Sequence, residues 1–257
     1  MGIDPDVVAE ARRLIEAANA DGCTVRVMGG VAISMHAAGG VHPALRRKYR
    51  DIDLVTAKKD GRRALKMLQA AGYESNERFN AMNGGRRLVV YDMQNGRQLD
   101  VFVGEFAMCH KIPIAERLDA DPATLPLAEL LLTKLQVVHI NRKDVLDICA
   151  LMLDHEVGDA DEDMVNARYI ASLLAGDWGL WRTSRGTIDA TRTQLAEIGL
   201  EPSERAVIDG RLTALWERVE LQPKSLRWRS RARIGDRTRW YEEPEEVEHR
   251  SLDETAE

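Results

Sequence analysis

The sequence has few of the residues that mark disulfide-bonded or zinc-binding proteins. Only three of its 257 residues are cysteines. Cys23, Cys109 and Cys149 form no Cys-x-x-Cys pair and cannot all pair with one another, which argues against a disulfide framework or a zinc ribbon. The six histidines form no His-x-His or His-Glu-x-x-His pattern, so we expect no zinc site.

Long apolar runs are also missing. No stretch approaches the roughly 18 residues that cross a bilayer, and the first residues lack the apolar core of a secretory signal. Apolar residues nevertheless make up 44% of the chain, which is enough for the core of one large domain or two modest ones. We therefore expect a cytoplasmic protein that has no membrane partner.

Charge is nearly balanced over the whole chain but unevenly placed at its C-terminal end. The net charge is −6. Residues 224–240 contain seven basic residues and one acid, whereas residues 241–257 contain eight acids and one arginine. Such blocks are typical of solvated tails or interaction segments, so we assign residues 223–257 to a charged C-terminal tail. The basic block can bind an RNA backbone, with Trp228 and Trp240 stacking on bases, or it can be neutralised by the acidic block.

Hydrophobic periodicity predicts a small α/β part followed by helices. The predicted helices cover 5–20, 31–38, 60–71, 127–140, 143–155, 162–175, 178–198 and 203–220, and the predicted strands cover 23–28, 51–55, 87–94 and 97–103. Asn95-Gly96 between the last two strands is typical of a two-residue type I′ hairpin turn. We expect an α+β fold: a small mixed β-sheet with flanking helices over residues 1–120, then an all-α half over residues 121–222.

Two aspartates alternate along the strand predicted at 51–55. Because neighbouring side chains of a strand point to opposite faces, Asp51 and Asp53 share one face, about 7 Å apart. Carboxylates at this spacing form part of a site for a hard divalent cation such as Mg²⁺. A third carboxylate on a neighbouring strand would complete it. We favour Asp100 over Asp92, since Leu99 takes the core face of that strand and Asp100 the opposite one.

A glycine pair lies at the turn between the first predicted strand and the following helix. Gly29 and Gly30 lack side chains, so a phosphate can approach the backbone, and the helix N-terminus offers free N–H groups to an anion. Together with the carboxylates, this pattern predicts a phosphoryl or nucleotidyl transfer site. With two metals, one would activate the attacking hydroxyl and the other would stabilise the leaving pyrophosphate.

These motifs resemble the nucleotidyltransferase fold that is shared with the palm of DNA polymerase β: Gly29-Gly30, then Asp51-Ile52-Asp53, then Asp100 between aliphatic residues. A lysine-bearing helix around 127–135, followed by Arg142-x-Asp144-x-x-Asp147, is similar to the AbiEii/MenT-like branch of toxin–antitoxin nucleotidyltransferases. The resemblance covers about residues 20–155. Tyr49 departs from the family pattern, which commonly has Thr or Ser two residues before the first aspartate.

The resemblance implies roles for seven residues that bind the nucleotide or the metal. Gly29 and Gly30 would hold the phosphates, Asp51 and Asp53 would bind metal, Lys134 would contact the triphosphate, Asp144 would be the downstream catalytic aspartate, and Arg47 would be the arginine before the acidic pair. Without the resemblance, the stem of Lys134 could simply cover the core. Asp147 is interpreted as a surface or capping partner of Arg142 or Lys143.

The sequence therefore predicts a Mg²⁺-dependent nucleotidyltransferase that binds an NTP such as ATP and moves its NMP to an acceptor. By analogy the acceptor is a tRNA 3′ end or a protein hydroxyl, and a toxin would have a cognate antitoxin as partner; fold analogy alone cannot choose. The alternatives are an antibiotic-type enzyme with a small-molecule acceptor and an inactive nucleotide- or RNA-binding module.

Overall fold

The computed structural model describes residues 2–37 and 39–243. The predicted α+β class is confirmed: a small mixed sheet lies in the N-terminal part and helices dominate the C-terminal half. The acidic block was given as one alternative for neutralising the basic block. Its residues from 244 onward lie outside the described residues.

The secondary structure follows the predicted order closely. The helices are α1 (Val7–Ala20), α2 (Gly29–His36), α3 (Gly61–Ala70), α4 (Glu77–Met82), α5 (Leu127–Leu135), α6 (Arg142–Asp154), α7 (Ala167–Gly176), α8 (Trp178–Leu195), α9 (Pro202–Leu221) and α10 (Leu226–Ile234). The strands are β1 (Val25–Met28), β2 (Asp51–Thr56), β3 (Glu74–Ser75), β4 (Arg87–Asp92), β5 (Arg97–Val103), β6 (Phe106–Ala107), β7 (Lys111–Ile112), β8 (Glu156–Gly158) and β9 (Met164–Asn166). Short 3-10 helices cover Pro43–Leu45, Ile114–Ala120 and Gly235–Arg237.

The five-stranded sheet has the order β1-β2-β5-β4-β3. Strands β2 and β5 are parallel, while the other neighbours are antiparallel. Ile52 and Leu54 of β2 are fully buried on the face opposite the aspartates, where they join one hydrophobic core with Leu14 of α1 and Leu68 of α3. This alternation fixes the register, because a slip by one residue would bury the aspartates instead.

The hairpin between β4 and β5 was predicted correctly, but its turn was not. Asp92 pairs with Arg97, so four residues connect the strands rather than two. Gly96 has a positive φ of 63°, but Asn95 does not, whereas a type I′ turn needs both. The carboxylate of Asp92 accepts N–H bonds from Gln94 and Asn95, at 3.0 and 3.1 Å, and these bonds favour the wider loop.

The C-terminal half contains one helix that the sequence did not reveal. The helix α10 falls inside the segment assigned to a charged tail. Ser225 caps it by accepting the N–H of Trp228, and the Trp228 indole packs edge-on against Trp181 at 5.3 Å between ring centroids. The helix at 162–175 begins later than predicted, at Ala167, because residues 164–166 form the strand β9.

Residues 238–243 return from α10 to the N-terminal half, and we call this segment the C-terminal strap. The Trp240 indole donates a hydrogen bond to the Thr183 hydroxyl at 3.0 Å and packs edge-on against Trp178. The backbone N–H of Glu242 donates to the carbonyl of Cys109 at 3.0 Å. Both tail indoles expected to stack on bases are therefore engaged in contacts within the protein.

Candidate active site

The two strand aspartates line a cleft at the first residues of β2, an inner strand of the sheet. In the parallel register Asp51 lies opposite Gln98, and Asp53 lies opposite Asp100. Burial, together with the nearby carboxylates of Asp51 and Asp100, raises the pKa of Asp53 to about 8, against the opposing effect of Lys134 and other cations. Crowded carboxylates of this kind are an environment in which a divalent cation relieves repulsion.

Asp100 lies on the predicted face, but its oxygens already have partners. Arg87 donates to one oxygen at 2.8 Å, and the Gln98 amide donates to the other at 2.8 Å. The competing carboxylate, Asp92, is buried in the hairpin turn and pairs with Arg97 at 3.2 Å. The geometry therefore favours Asp100 as the carboxylate nearer to Asp53, and its role as a metal ligand stays a prediction.

The glycine pair forms the first turn of α2. Met28 precedes this helix and provides no side-chain cap, so the N–H groups of the first turn are left without one. Gly29 has a φ of 68°, and a Cβ at this position would lie 2.5 Å from a carboxylate oxygen of Asp53. A Cβ on Gly30 would lie 1.7 Å from a guanidinium nitrogen of Arg47. A side chain at either position would therefore displace Asp53 or Arg47 at the cleft.

Substituting Gly29 with alanine is expected to reduce nucleotidyl transfer by about 100-fold, because the new methyl group displaces the carboxylate of Asp53. Gly40→Ala is the matched control, since Gly40 also has a positive φ, 78°, but has open space around it. Both variants carry the backbone strain of an L-residue at positive φ. Equal losses of activity in the two would show that strain alone, and not crowding of Asp53, is responsible.

A network of charges forms the wall of the cleft opposite the aspartates. The ammonium of Lys134, at the end of α5, lies 2.9 Å from Asp144 and 2.9 Å from Asp147, both on α6. The guanidinium of Arg47 donates two hydrogen bonds of 2.8 Å to Asp147, one to each oxygen. Its plane also lies over the ring of Tyr49, 4.5 Å from the centroid. One carboxylate thus joins α5, α6 and the segment 46–50, which contains Arg47 and which we call the basic loop.

The electrostatics of this network keep Lys134 and Asp147 charged. Burial alone would lower the pKa of Lys134, but the carboxylates of Asp147 and Asp144 outweigh it and raise that pKa. Burial would likewise raise the pKa of Asp147, but Lys134 and Arg47 outweigh it and hold that pKa below its usual value. The ion pairs therefore compensate the cost of burying these charges.

The interpretation of Asp147 as a partner of Arg142 or Lys143 is wrong, because its carboxylate bonds to Arg47 and Lys134 instead. The spacing of three residues from Asp144 was a usable signal, since it puts both carboxylates on one face of a helix. The partner Arg47 lies 100 residues away in sequence, and no local pattern indicates such a pair.

The cleft has a volume of about 150 Å³ and brings together most of the predicted residues. Those that line it are Gly30, Arg47, Asp51, Asp53, Lys134 and Asp144, joined by Val31, Tyr49, Asn141 and Lys143. None of these four was predicted as a site residue from the sequence, although Tyr49 was noted as a departure from the family pattern. Asn141 caps α6 by accepting the N–H of Asp144 at 3.1 Å, and it places Lys143 in the first turn beside the cleft.

The donor set suits Mg²⁺. Within residues 2–37 and 39–243 no group of three or more His, Cys, Asp or Glu side chains is placed to hold a metal ion. Magnesium commonly binds through one or two carboxylates and completes its shell with substrate phosphates and water. Asp51 and Asp53 provide such a pair in a cleft that also contains cations for phosphates, so the residues present fit a substrate-bound magnesium ion.

Comparison with known proteins supports the nucleotidyltransferase class that the sequence motifs resemble. Residues 6–104 match the model of a family described as uncharacterised nucleotidyltransferase. The matched segment contains the glycine turn together with Asp51, Asp53 and Asp100, and it ends before Lys134. The match supports the nucleotidyltransferase superfamily, with NMP transfer as the general activity. No curated protein and no solved structure matches the chain significantly.

Among the described residues, no helix is both long enough and apolar enough to span a bilayer.

Proposed function

We propose that this protein is a Mg²⁺-dependent nucleotidyltransferase that moves the NMP of an NTP onto an acceptor hydroxyl. The observation that carries the proposal is the cleft itself. Two carboxylates on one strand, Asp51 and Asp53, face a lysine and an arginine across a cavity that begins at an uncapped glycine turn. Carboxylates on one side and cations on the other match a metal-bound triphosphate, whose negative charge must be neutralised on both sides.

Each residue of the site has a role that follows from the ligating atoms or hydrogen-bond donors it can offer to a ligand. Asp51 and Asp53 would hold the cation, which when bound lowers the pKa of the attacking hydroxyl and neutralises the phosphates. The ammonium of Lys134 has three N–H donors, and two of them contact Asp144 and Asp147. The third is therefore available to a phosphate oxygen. The backbone N–H groups at Gly29 and Gly30 would donate hydrogen bonds to another phosphate oxygen.

Arg47 and Asp147 act as positioning residues. The bidentate pair fixes the guanidinium plane, and it fixes the same carboxylate that holds Lys134. Because α5, α6 and the basic loop meet there, Lys134 can keep its position when the triphosphate enters. Preorganised cations of this kind stabilise charge that develops on the leaving pyrophosphate without reorganisation during the reaction.

The acceptor is proposed to be a tRNA 3′ end or a protein hydroxyl, as in the AbiEii/MenT-like enzymes that the site residues resemble. If the protein is the toxin of a toxin–antitoxin pair, its expression arrests growth and a cognate antitoxin relieves the arrest. A small-molecule acceptor is the alternative within the same chemistry.

The test is transfer of label from each of four α-³²P-labelled NTPs, with Mg²⁺ and total tRNA, by the wild-type protein. We expect label on RNA from one preferred NTP and none after chelation with EDTA. Label on protein would identify a protein acceptor. Absence of label on RNA, protein and a panel of aminoglycosides, together with absence of pyrophosphate release, would refute the proposed activity.

A further inference from the structure

A second cavity, of about 220 Å³, lies on the same face of the sheet as the aspartates. Arg87 connects the two sites, because it lines this cavity and also bonds to Asp100 at 2.8 Å, and Asp100 lies opposite Asp53. The other charged residues of its wall are Arg86, Lys111, Glu105, Glu242 and Glu243. Three cations and three carboxylates thus line it, and only Glu105 of the carboxylates lies outside the C-terminal strap. We call this cavity the basic pocket after Arg86 and Lys111, which outnumber Glu105 when the strap is set aside.

The cations of the basic pocket fall into two kinds. Arg87 is neutralised by Asp100. Arg86 and Lys111 are exposed, and neither forms an ion pair with any residue in 2–37 or 39–243. Cations that line a concave surface without partners are available to an anion.

Two of the three carboxylates that line the basic pocket come from the C-terminal strap. Glu242 and Glu243 reach it because Trp240 anchors the strap on Thr183 and the N–H of Glu242 bonds to Cys109. Glu243 also forms a close ion pair with Arg239. Two carboxylates therefore lie where they compete electrostatically with any anionic ligand that Arg86 and Lys111 attract.

We propose that the basic pocket is a phosphate-binding subsite for a nucleic-acid acceptor, and that Glu242 and Glu243 of the strap occupy its mouth and weaken acceptor binding. This inference rests on the proposed function for its link to transfer. In a nucleic acid the terminal hydroxyl and the neighbouring phosphate belong to one strand. A phosphate held beside Asp100 therefore brings that hydroxyl toward the carboxylates of the cleft.

The test measures binding of a short fluorescein-labelled single-stranded RNA with a free 3′ hydroxyl by anisotropy, without NTP. Arg86→Ala with Lys111→Ala should weaken binding about tenfold and reduce the steepness of its salt dependence by about 1.4, as the loss of two phosphate contacts predicts. Glu242→Gln with Glu243→Gln should tighten binding about fivefold, because two like charges leave the mouth.

Matched controls use exposed residues that do not line the pocket. Arg62→Ala with Lys66→Ala removes one exposed arginine and one exposed lysine from α3, and Glu197→Gln with Glu217→Gln removes two acids. If the Arg62/Lys66 control weakens binding as much as the pocket variant, binding is a general property of surface cations and the subsite is overturned. Competition by poly-glutamate or inorganic phosphate as effective as that by RNA would overturn the nucleic-acid assignment.

The binding measurement separates this inference from the proposed activity. If the two pocket variants shift RNA affinity as expected but no preparation transfers label, the subsite stands and the transferase assignment fails. If label is transferred to RNA but neither the affinity nor the KM for RNA responds to the pocket variants, the transferase assignment stands and the subsite fails.

Discussion

Replacing Asp53 with asparagine is expected to reduce nucleotidyl transfer by about three orders of magnitude or more while the protein stays folded. The amide keeps the size of the carboxylate but lacks the charge needed to hold a divalent cation. The melting temperature at pH 7 should stay nearly the same, because burial and the neighbouring carboxylates of Asp51 and Asp100 raise the pKa of Asp53 to about 8, so that the metal-free carboxyl is already mostly protonated.

The measurement is transfer of ³²P label together with the melting temperature of the same preparation. Asp189→Asn is the matched control, since Asp189 is an exposed residue of α8 remote from the cleft lining. A variant that loses activity and also unfolds would not assign a catalytic role to Asp53. Retention of more than a tenth of wild-type activity would contradict the assignment of Asp53 as a metal ligand.

Replacing Asp147 with asparagine is expected to lower stability by about 3 kcal/mol, because two buried cations lose their shared counter-charge. For a chain of this size that corresponds to a fall of about 6–12 °C in melting temperature. Transfer should also fall, by about 100-fold, since Arg47 is released and Lys134 keeps only one of its two carboxylate partners.

Asp144→Asn provides the comparison that separates stability from catalysis. Asp144 contacts Lys134 but not Arg47, and it is less buried than Asp147. We expect a smaller loss of stability than in Asp147→Asn but an equal or larger loss of transfer, because Asp144 lines the cleft. Equal melting temperatures in the two variants would contradict the view that Asp147 joins the basic loop to α5 and α6.

The part of the site that the sequence predicted is the part set by local periodicity. The alternation along β2 places Asp51 and Asp53 on one face, and the glycine pair marks the strand-to-helix turn, so both could be derived from neighbouring residues. The strand pair β4–β5 was predicted for the same reason. Its turn was wrong because a side chain outside the Asn-Gly pair, Asp92, determines the loop.

The remainder depends on contacts between residues that are distant in sequence. The role of Asp147 follows from a partner 100 residues away, which no spacing rule describes. The helix α10 has a run of arginines that is typical of a solvated tail, yet Trp228 holds it against α8 through Trp181. The basic pocket likewise combines residues of β4, β5, β6 and β7 with the strap, so its members share no pattern in the sequence.

The family match ends at residue 104, whereas Lys134 belongs to a helix that begins at Leu127. A graft of the matched segment onto another scaffold would inherit the carboxylates and the glycine turn without the lysine that faces them. The complete site therefore needs more of the chain than the matched segment provides. It also needs the contact between the sheet and the helices α5 and α6. A partner that weakened this contact would inactivate the site without binding to any of its carboxylates.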